Sequence, residues 1–154
     1  MLLLAAVGSV VALLPACDRG GAGGGATPHF VDDTRASGID HRYDGEFEYF
    51  VGGGVAAFDC DADGRDELFV AGGTQRAALF HNESPTGGAL RFSALPSPVT
   101  DLTAVTGAYP IDIDSDGTGD LVVLRRDGDV VLRGLGGCRF APGDQELGLD
   151  VPPG

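Results

Sequence analysis

The feature that most constrains this chain is a short acidic segment that occurs twice. Residues 59–68 and 112–121 both follow the pattern D-x-D-x-D-G-x-x-D/E-L, and they begin 53 residues apart. Alternate carboxylates supply the oxygen ligands that hard cations such as calcium take, and the glycine permits the sharp turn between them. A fixed spacing of this size is typical of repeat proteins. The chain is therefore predicted to repeat one unit built around a calcium loop.

An EF-hand is the nearest alternative for such a loop, and the sequence argues against it. EF-hand loops need a bidentate Glu at the twelfth position, where these segments carry Val70 and Val123. Both valines lie in apolar runs predicted as strands, and a dockerin-type loop fails on the same ground. Instead, the ninth-position acid closes the cage, and the seventh-position carbonyl of Arg65 or Thr118 is free to contribute. A solvated Asp-Gly turn without metal is the other alternative.

Each unit contains four short apolar runs separated by Gly, Asp or Pro. Runs of this length, rich in Val, Phe, Tyr and Leu, are typical of strands. Four strands in roughly 50 residues is the size of one propeller blade. The sequence therefore predicts an all-β fold, a partial β-propeller with about two four-stranded antiparallel blades and strand–calcium loop–strand hairpins. The blades are predicted at about 50–98 and 104–149.

The same residues resemble a known repeat family. The run-in Gly-Gly-Val-Ala-Ala-Phe-Asp, the acid loops, and the later Leu-Phe-His-Asn before Arg-Phe resemble FG-GAP/VCBS repeats, the blades of integrin-α-type β-propellers. The segment 30–39 and the Gly-Gly-Gly-Val entry resemble more narrowly the cartilage-acidic-protein-like group, often seen in exported bacterial proteins. The resemblance covers about 27–149. Repeat folds need at least three units, so the resemblance implies an N-terminal fragment, or a truncated gene product, of a larger propeller, with further blades expected in the full-length chain.

The resemblance also implies two calcium sites, and their carboxylate ligands follow from the loop positions. They are Asp59, Asp61, Asp63 and Glu67 in the first loop, and Asp112, Asp114, Asp116 and Asp120 in the second. Glu67 stands where Asp is usual, and its extra methylene is expected to loosen the first cage. The second site is accordingly the firmer prediction.

The N-terminus is predicted to direct export. Residues 1–16 form an uncharged apolar run that is too short to span a bilayer comfortably and is typical of a signal peptide. The following Leu-Pro-Ala-Cys resembles a bacterial lipobox, which predicts a lipidated Cys17 and a Gly-rich tether through residue 26. The protein would then be a cell-envelope lipoprotein. Plain cleavage near Ala16, giving a secreted protein, and a mis-assigned start are the alternatives. Residues 150–154 are predicted to be a truncated tail.

The net charge and the cysteine and histidine residues limit the partners and metal sites that can be expected. A net charge of −13 argues against nucleic acid or an anionic membrane surface as a partner, so any membrane contact is expected through the lipid alone. The position of Cys60 inside a tight loop favours two separate buried thiols over a disulfide with Cys138, although an oxidising compartment would allow one. His29, His41 and His81 show no zinc-site spacing and are interpreted as surface or strand-end residues.

These observations favour a non-enzymatic module. Outside the acid loops, no nucleophile, base or acid pair stands out in the sequence. The leading hypothesis is a calcium-binding propeller module for recognition, adhesion or scaffolding, whose partner is an unidentified protein or glycan. The alternatives are a non-catalytic fragment of a propeller-type carbohydrate-active enzyme, such as a polysaccharide lyase, and a degenerate chain that no longer folds.

Overall fold

The computed structural model describes residues 27–50 and 52–143. The chain divides into two compact units, Met1–Val31 and Asp32–Gly154. Of the first unit only 27–31 are described, and they have no regular secondary structure. The predicted signal peptide, the lipidated Cys17, the tether and the tail at 150–154 lie outside the described residues. Among the helices of the described part, none is long and apolar enough to cross a membrane.

The second unit contains two four-stranded antiparallel sheets, each with its strands in chain order. One 3₁₀ turn, Phe47–Tyr49, precedes them. The first sheet consists of β1 (Val55–Phe58), β2 (Glu67–Val70), β3 (Ala78–Asn82) and β4 (Phe92–Ala94). The second consists of β5 (Val105–Ile111), β6 (Asp120–Arg125), β7 (Val130–Gly134) and β8 (Phe140–Pro142). The predicted all-β fold with two blade-like sheets is confirmed, and the described strands do not close into a barrel.

Register shows that the two sheets are copies of one unit. In the first sheet Phe58 pairs with Glu67, and in the second Ile111 pairs with Asp120. Each acid loop therefore joins the same two positions of its hairpin. A register shift between Val105 and Gly107 marks a bulge in β5, which lies upstream of the loop and leaves the loop itself unchanged.

The first strands of the two sheets approach each other closely. The Gly54 N–H donates to the Thr106 carbonyl at 2.8 Å, and a Cβ on Gly54 would lie 3.0 Å from the Gly107 Cα. A side chain at position 54 would therefore push the sheets apart. At the other end of β1, the rings of Phe58 and of Phe140 on β8 meet edge to face with centroids 6.2 Å apart.

The two cysteines correct one expectation. Cys60 and Cys138 form a disulfide with their Cα atoms 4.7 Å apart, whereas the sequence favoured separate thiols. The Cys138 N–H also donates to the Cys60 carbonyl at 3.1 Å. The bond links the β1–β2 loop of the first sheet to the β7–β8 turn of the second. A disulfide requires the second sheet to lie close to the first acid loop. The packing of the two sheets brings them that close.

Equivalent positions of the two sheets differ in burial. Ala56 and Phe58 on β1 are 4% and 8% exposed, because the second sheet covers them. Their counterparts 53 residues later, Tyr109 and Ile111 on β5, are 63% and 51% exposed. The second sheet thus presents an apolar face that corresponds to the covered face of the first.

Candidate metal centres

The two acid loops share one backbone conformation. Gly64 and Gly117 have φ of 85° and 86°, in the left-handed region that glycine enters without cost. The fourth-position residues Ala62 and Ser115 are also left-handed, with φ of 63° and 61°. Non-glycine residues enter this region infrequently. Its occurrence at the same place in both loops indicates one specified turn.

The first-position aspartates cap this turn from inside. Asp59 accepts hydrogen bonds from the N–H groups of Asp63 at 3.1 Å and Gly64 at 2.8 Å. Asp112 accepts the corresponding bonds from Asp116 and Gly117, at 3.1 and 3.0 Å. The Gly64 N–H is the main cause that lowers the pKa of the Asp59 carboxyl. Both carboxylates therefore face the loop interior.

The third- and fifth-position aspartates repeat this pattern. Asp61 and Asp114 accept from the N–H two residues later, at 3.3 and 3.1 Å. Asp63 and Asp116 do the same, at 2.9 and 2.7 Å, and their donors are the seventh-position amides of Arg65 and Thr118. Each loop thus curls around its own carboxylates through backbone donors.

The ninth-position acids are the most buried members. Glu67 is 0% exposed and accepts from the Cys60 N–H at 2.9 Å and from the Asn82 N–H at 3.3 Å. Burial raises the pKa of its carboxyl, and the two amide donors oppose that shift. Through these two hydrogen bonds, Glu67 on β2 connects to the start of the loop at Cys60 and to strand β3 at Asn82.

Asp120 has the equivalent position in the second loop. It is 1% exposed and accepts from the Ile113 N–H at 3.0 Å and the Gly134 N–H at 2.8 Å. A Glu and an Asp therefore make the same pair of hydrogen bonds, and the first loop accommodates the extra methylene without losing either one.

Carboxylate oxygens converge in both loops. Donor atoms of Asp59, Asp61 and Asp63 lie within 4.8 Å of one another, as do those of Asp112, Asp114 and Asp120. Two carboxylates about 4 Å apart repel by about 1 kcal/mol in water and about 4 kcal/mol at an effective dielectric constant of 20. A divalent cation reverses the sign of that interaction. All-oxygen donor sets of this kind fit a hard cation such as calcium.

The two loops differ in the positively charged side chains that lie near their carboxylates. In the first, the Arg65 guanidinium pairs with Asp63 and donates to the Asn82 carbonyl at 2.9 Å. Thr118, at the equivalent position, carries no charge. In the second loop the Arg133 Nε lies 3.7 Å from Asp114 Oδ2.

The structure adds one residue that sequence reasoning set aside. His81 on β3 places its Nε2 3.0 Å from Asp61 Oδ2 and 3.9 Å from Glu67 Oε1. The spacing of these residues in the sequence does not predict the contact, because it forms only when strand β3 pairs with strand β2. The alignment of the two repeats could have indicated His81. It aligns His81 with Arg133, which is also a polar residue beside its acid loop.

Comparison with protein families supports the repeat. Residues 59–123 match the FG-GAP-like repeat, from the start of the first acid loop to the strand after the second. Residues 59–123 are thus an FG-GAP-like repeat region. Comparisons with curated proteins and with solved structures gave no match. This match confirms the resemblance to FG-GAP repeats. Together with the two four-stranded sheets, it indicates a propeller-type repeat module.

Proposed function

We propose that this protein is a calcium-binding propeller module, without catalytic activity of its own, that serves recognition, adhesion or scaffolding. The observation that carries the proposal is the pair of acid loops with matching hydrogen bonds around convergent carboxylates. In each loop, backbone N–H groups already hold the carboxylates close together. Less conformational entropy is therefore lost when a cation binds. FG-GAP repeats are generally non-catalytic, and this supports the choice over a carbohydrate-active enzyme.

Calcium titration tests the proposal directly. The folded chain is expected to bind two calcium ions with dissociation constants of about 10⁻⁴ to 10⁻³ M, the range of extracellular modules. At ten times the dissociation constant, each ion should add about 1.4 kcal/mol to the free energy of unfolding. Asp59→Asn and Asp112→Asn should each remove one ion. The control Asp66→Asn removes a neighbouring exposed charge outside the ligand set and should retain two. Absence of binding heat at millimolar calcium would contradict the proposal.

The open face of the second sheet supports further blades in the full-length protein. Tyr109 and Ile111 occupy the positions at which the first sheet is covered by its neighbour, so we propose that another blade covers them. The chain alone is then expected to self-associate or bind a hydrophobic dye. Tyr109→Ser with Ile111→Ser should reduce both signals, whereas the exposed control Val55→Ser should not. A monomer with sharply cooperative unfolding and no dye binding would argue that the fold is complete.

We further propose export and anchoring through lipid on Cys17, with a secreted form as the alternative. The proposal rests on the apolar run 1–16 and the Leu-Pro-Ala-Cys sequence that ends it. The narrower likeness to the cartilage-acidic-protein-like group points the same way. The mature protein is expected to begin at Cys17, to carry the added mass of acyl chains, and to partition into detergent. An aqueous mature form that begins at another residue would rule out the anchor.

A further inference from the structure

We propose that His81, Asp61 and Glu67 form a mixed nitrogen–oxygen site for a divalent transition metal such as zinc, beside the first acid loop. The inference deepens the calcium proposal, because Asp61 and Glu67 belong to the same loop and the two metals would compete for them. It assigns the two loops different metal preferences.

Three donor atoms meet at this place. One ring nitrogen of His81 and one oxygen each of Asp61 and Glu67 lie within 4.8 Å of one another. The separations from Nε2 are 3.0 Å to Asp61 and 3.9 Å to Glu67. Zinc bonds of about 2.0–2.2 Å in a tetrahedral arrangement place neighbouring donors about 3.3–3.6 Å apart. The two separations from Nε2 lie within about 0.3 Å of this range, and the Asp61 and Glu67 oxygens are at most 4.8 Å apart. Small side-chain shifts would therefore bring all three atoms into one coordination sphere.

The chemistry of the donors favours a transition metal over calcium. Calcium takes oxygen ligands, whereas imidazole nitrogen suits zinc, copper, iron and nickel. The Glu67 side chain forms a buried wall, while the side chains of His81 and Asp61 remain 27% and 25% exposed. The exposed side admits the ion and leaves room for a water as a fourth ligand, a common arrangement for zinc.

A second carboxylate is suited to orient the imidazole. Metal-bound histidines usually donate their other ring N–H to a carboxylate or carbonyl. The Nδ1 of His81 lies 4.0 Å from Glu83 Oε1, and Ser93 Oγ holds that same oxygen by a hydrogen bond of 2.8 Å. When a metal replaces the proton on Nε2, the ring proton is carried by Nδ1, which faces Glu83. A small shift that closes this 4.0 Å separation would let Nδ1–H donate to Glu83 and so stabilise the tautomer that binds metal.

The second acid loop provides an internal comparison. Arg133 approaches Asp114 there as His81 approaches Asp61 in the first loop. A guanidinium has no lone pair available for a metal. The second loop therefore retains an all-oxygen donor set, and we expect it to prefer calcium.

Zinc and calcium titrations of the full chain test this inference. We expect one zinc equivalent that depends on His81, with His81→Arg weakening that binding about 100-fold, the upper end of losses found even for outer-shell partners. The matched control His29→Arg removes an exposed histidine and should bind zinc as the original chain does. Calcium binding at the second loop should be unchanged in both variants.

A gain-of-function variant guards against misfolding as an explanation. Arg133→His places an imidazole beside Asp114 and Asp120, and we expect it to add a second zinc equivalent. Zinc binding that is the same in the original chain and in His81→Arg would overturn the inference, and so would Arg133→His without an added equivalent. Loss of calcium binding with zinc binding retained would overturn only the calcium proposal. Calcium binding without histidine-dependent zinc would overturn only this one.

Discussion

Removing the disulfide is expected to lower the free energy of unfolding by about 4 kcal/mol. The Cys60–Cys138 bond joins residues 78 positions apart, and a cross-link that closes a loop of this length restricts the unfolded chain by roughly that amount. It also holds the first acid loop against the second sheet. The double variant Cys60→Ser, Cys138→Ser should show the loss in urea denaturation monitored by circular dichroism.

Reduction of the unmodified protein provides the control for this change. It breaks the bond while retaining both sulfur atoms, so packing differences between cysteine and serine do not contribute. The reduced protein should unfold at nearly the same urea concentration as the double variant, and reductant should have no effect on the double variant. Equal midpoints for the oxidised and reduced protein would contradict the expected stabilisation.

Loss of a ninth-position acid is expected to be the most costly single change within the loops. Asp120→Ala leaves the half-buried N–H of Ile113 and the buried N–H of Gly134 without their acceptor. Each unsatisfied buried donor costs about 1–3 kcal/mol, so we expect a loss of about 3 kcal/mol without calcium. Asp116→Ala, at an exposed position of the same loop, is the matched comparison and should lose less. Thermal unfolding in the presence of a chelator measures this part.

Calcium should separate the two ninth-position acids. Glu67→Ala also leaves two backbone N–H groups, those of Cys60 and Asn82, without an acceptor. Its loss of unfolding free energy without calcium should therefore be similar to that of Asp120→Ala. Asp120 lies in the convergent oxygen set of its loop, whereas Glu67 groups with Asp61 and His81. The increase in melting temperature on adding calcium should therefore fall more for Asp120→Ala than for Glu67→Ala. Equal or reversed falls would indicate that Glu67 is the better ligand.

Features that depend on residues close together along the chain could be predicted from the sequence. Alternating apolar runs specify strands through contacts within one hairpin, which is why the all-β fold and the two blade-like sheets were predicted correctly. The acid loops span nine residues, and the amide donors that curl them lie two to five residues from their acceptors. Gly64 and Gly117 permit the turn locally, so the loop conformation is a short-range property.

Contacts between segments far apart in the chain could not be predicted from the sequence. The disulfide depends on how the second sheet packs against the first loop, and no local pattern in the chain encodes that distance. His81 reaches Asp61 because β3 pairs beside β2, 20 residues after the aspartate. Burial likewise separates Phe58 from its repeat partner Ile111, since one is covered by a neighbouring sheet and the other is not. The disulfide and the difference in burial follow from packing between the two sheets, and the His81–Asp61 contact follows from strand pairing within the first sheet.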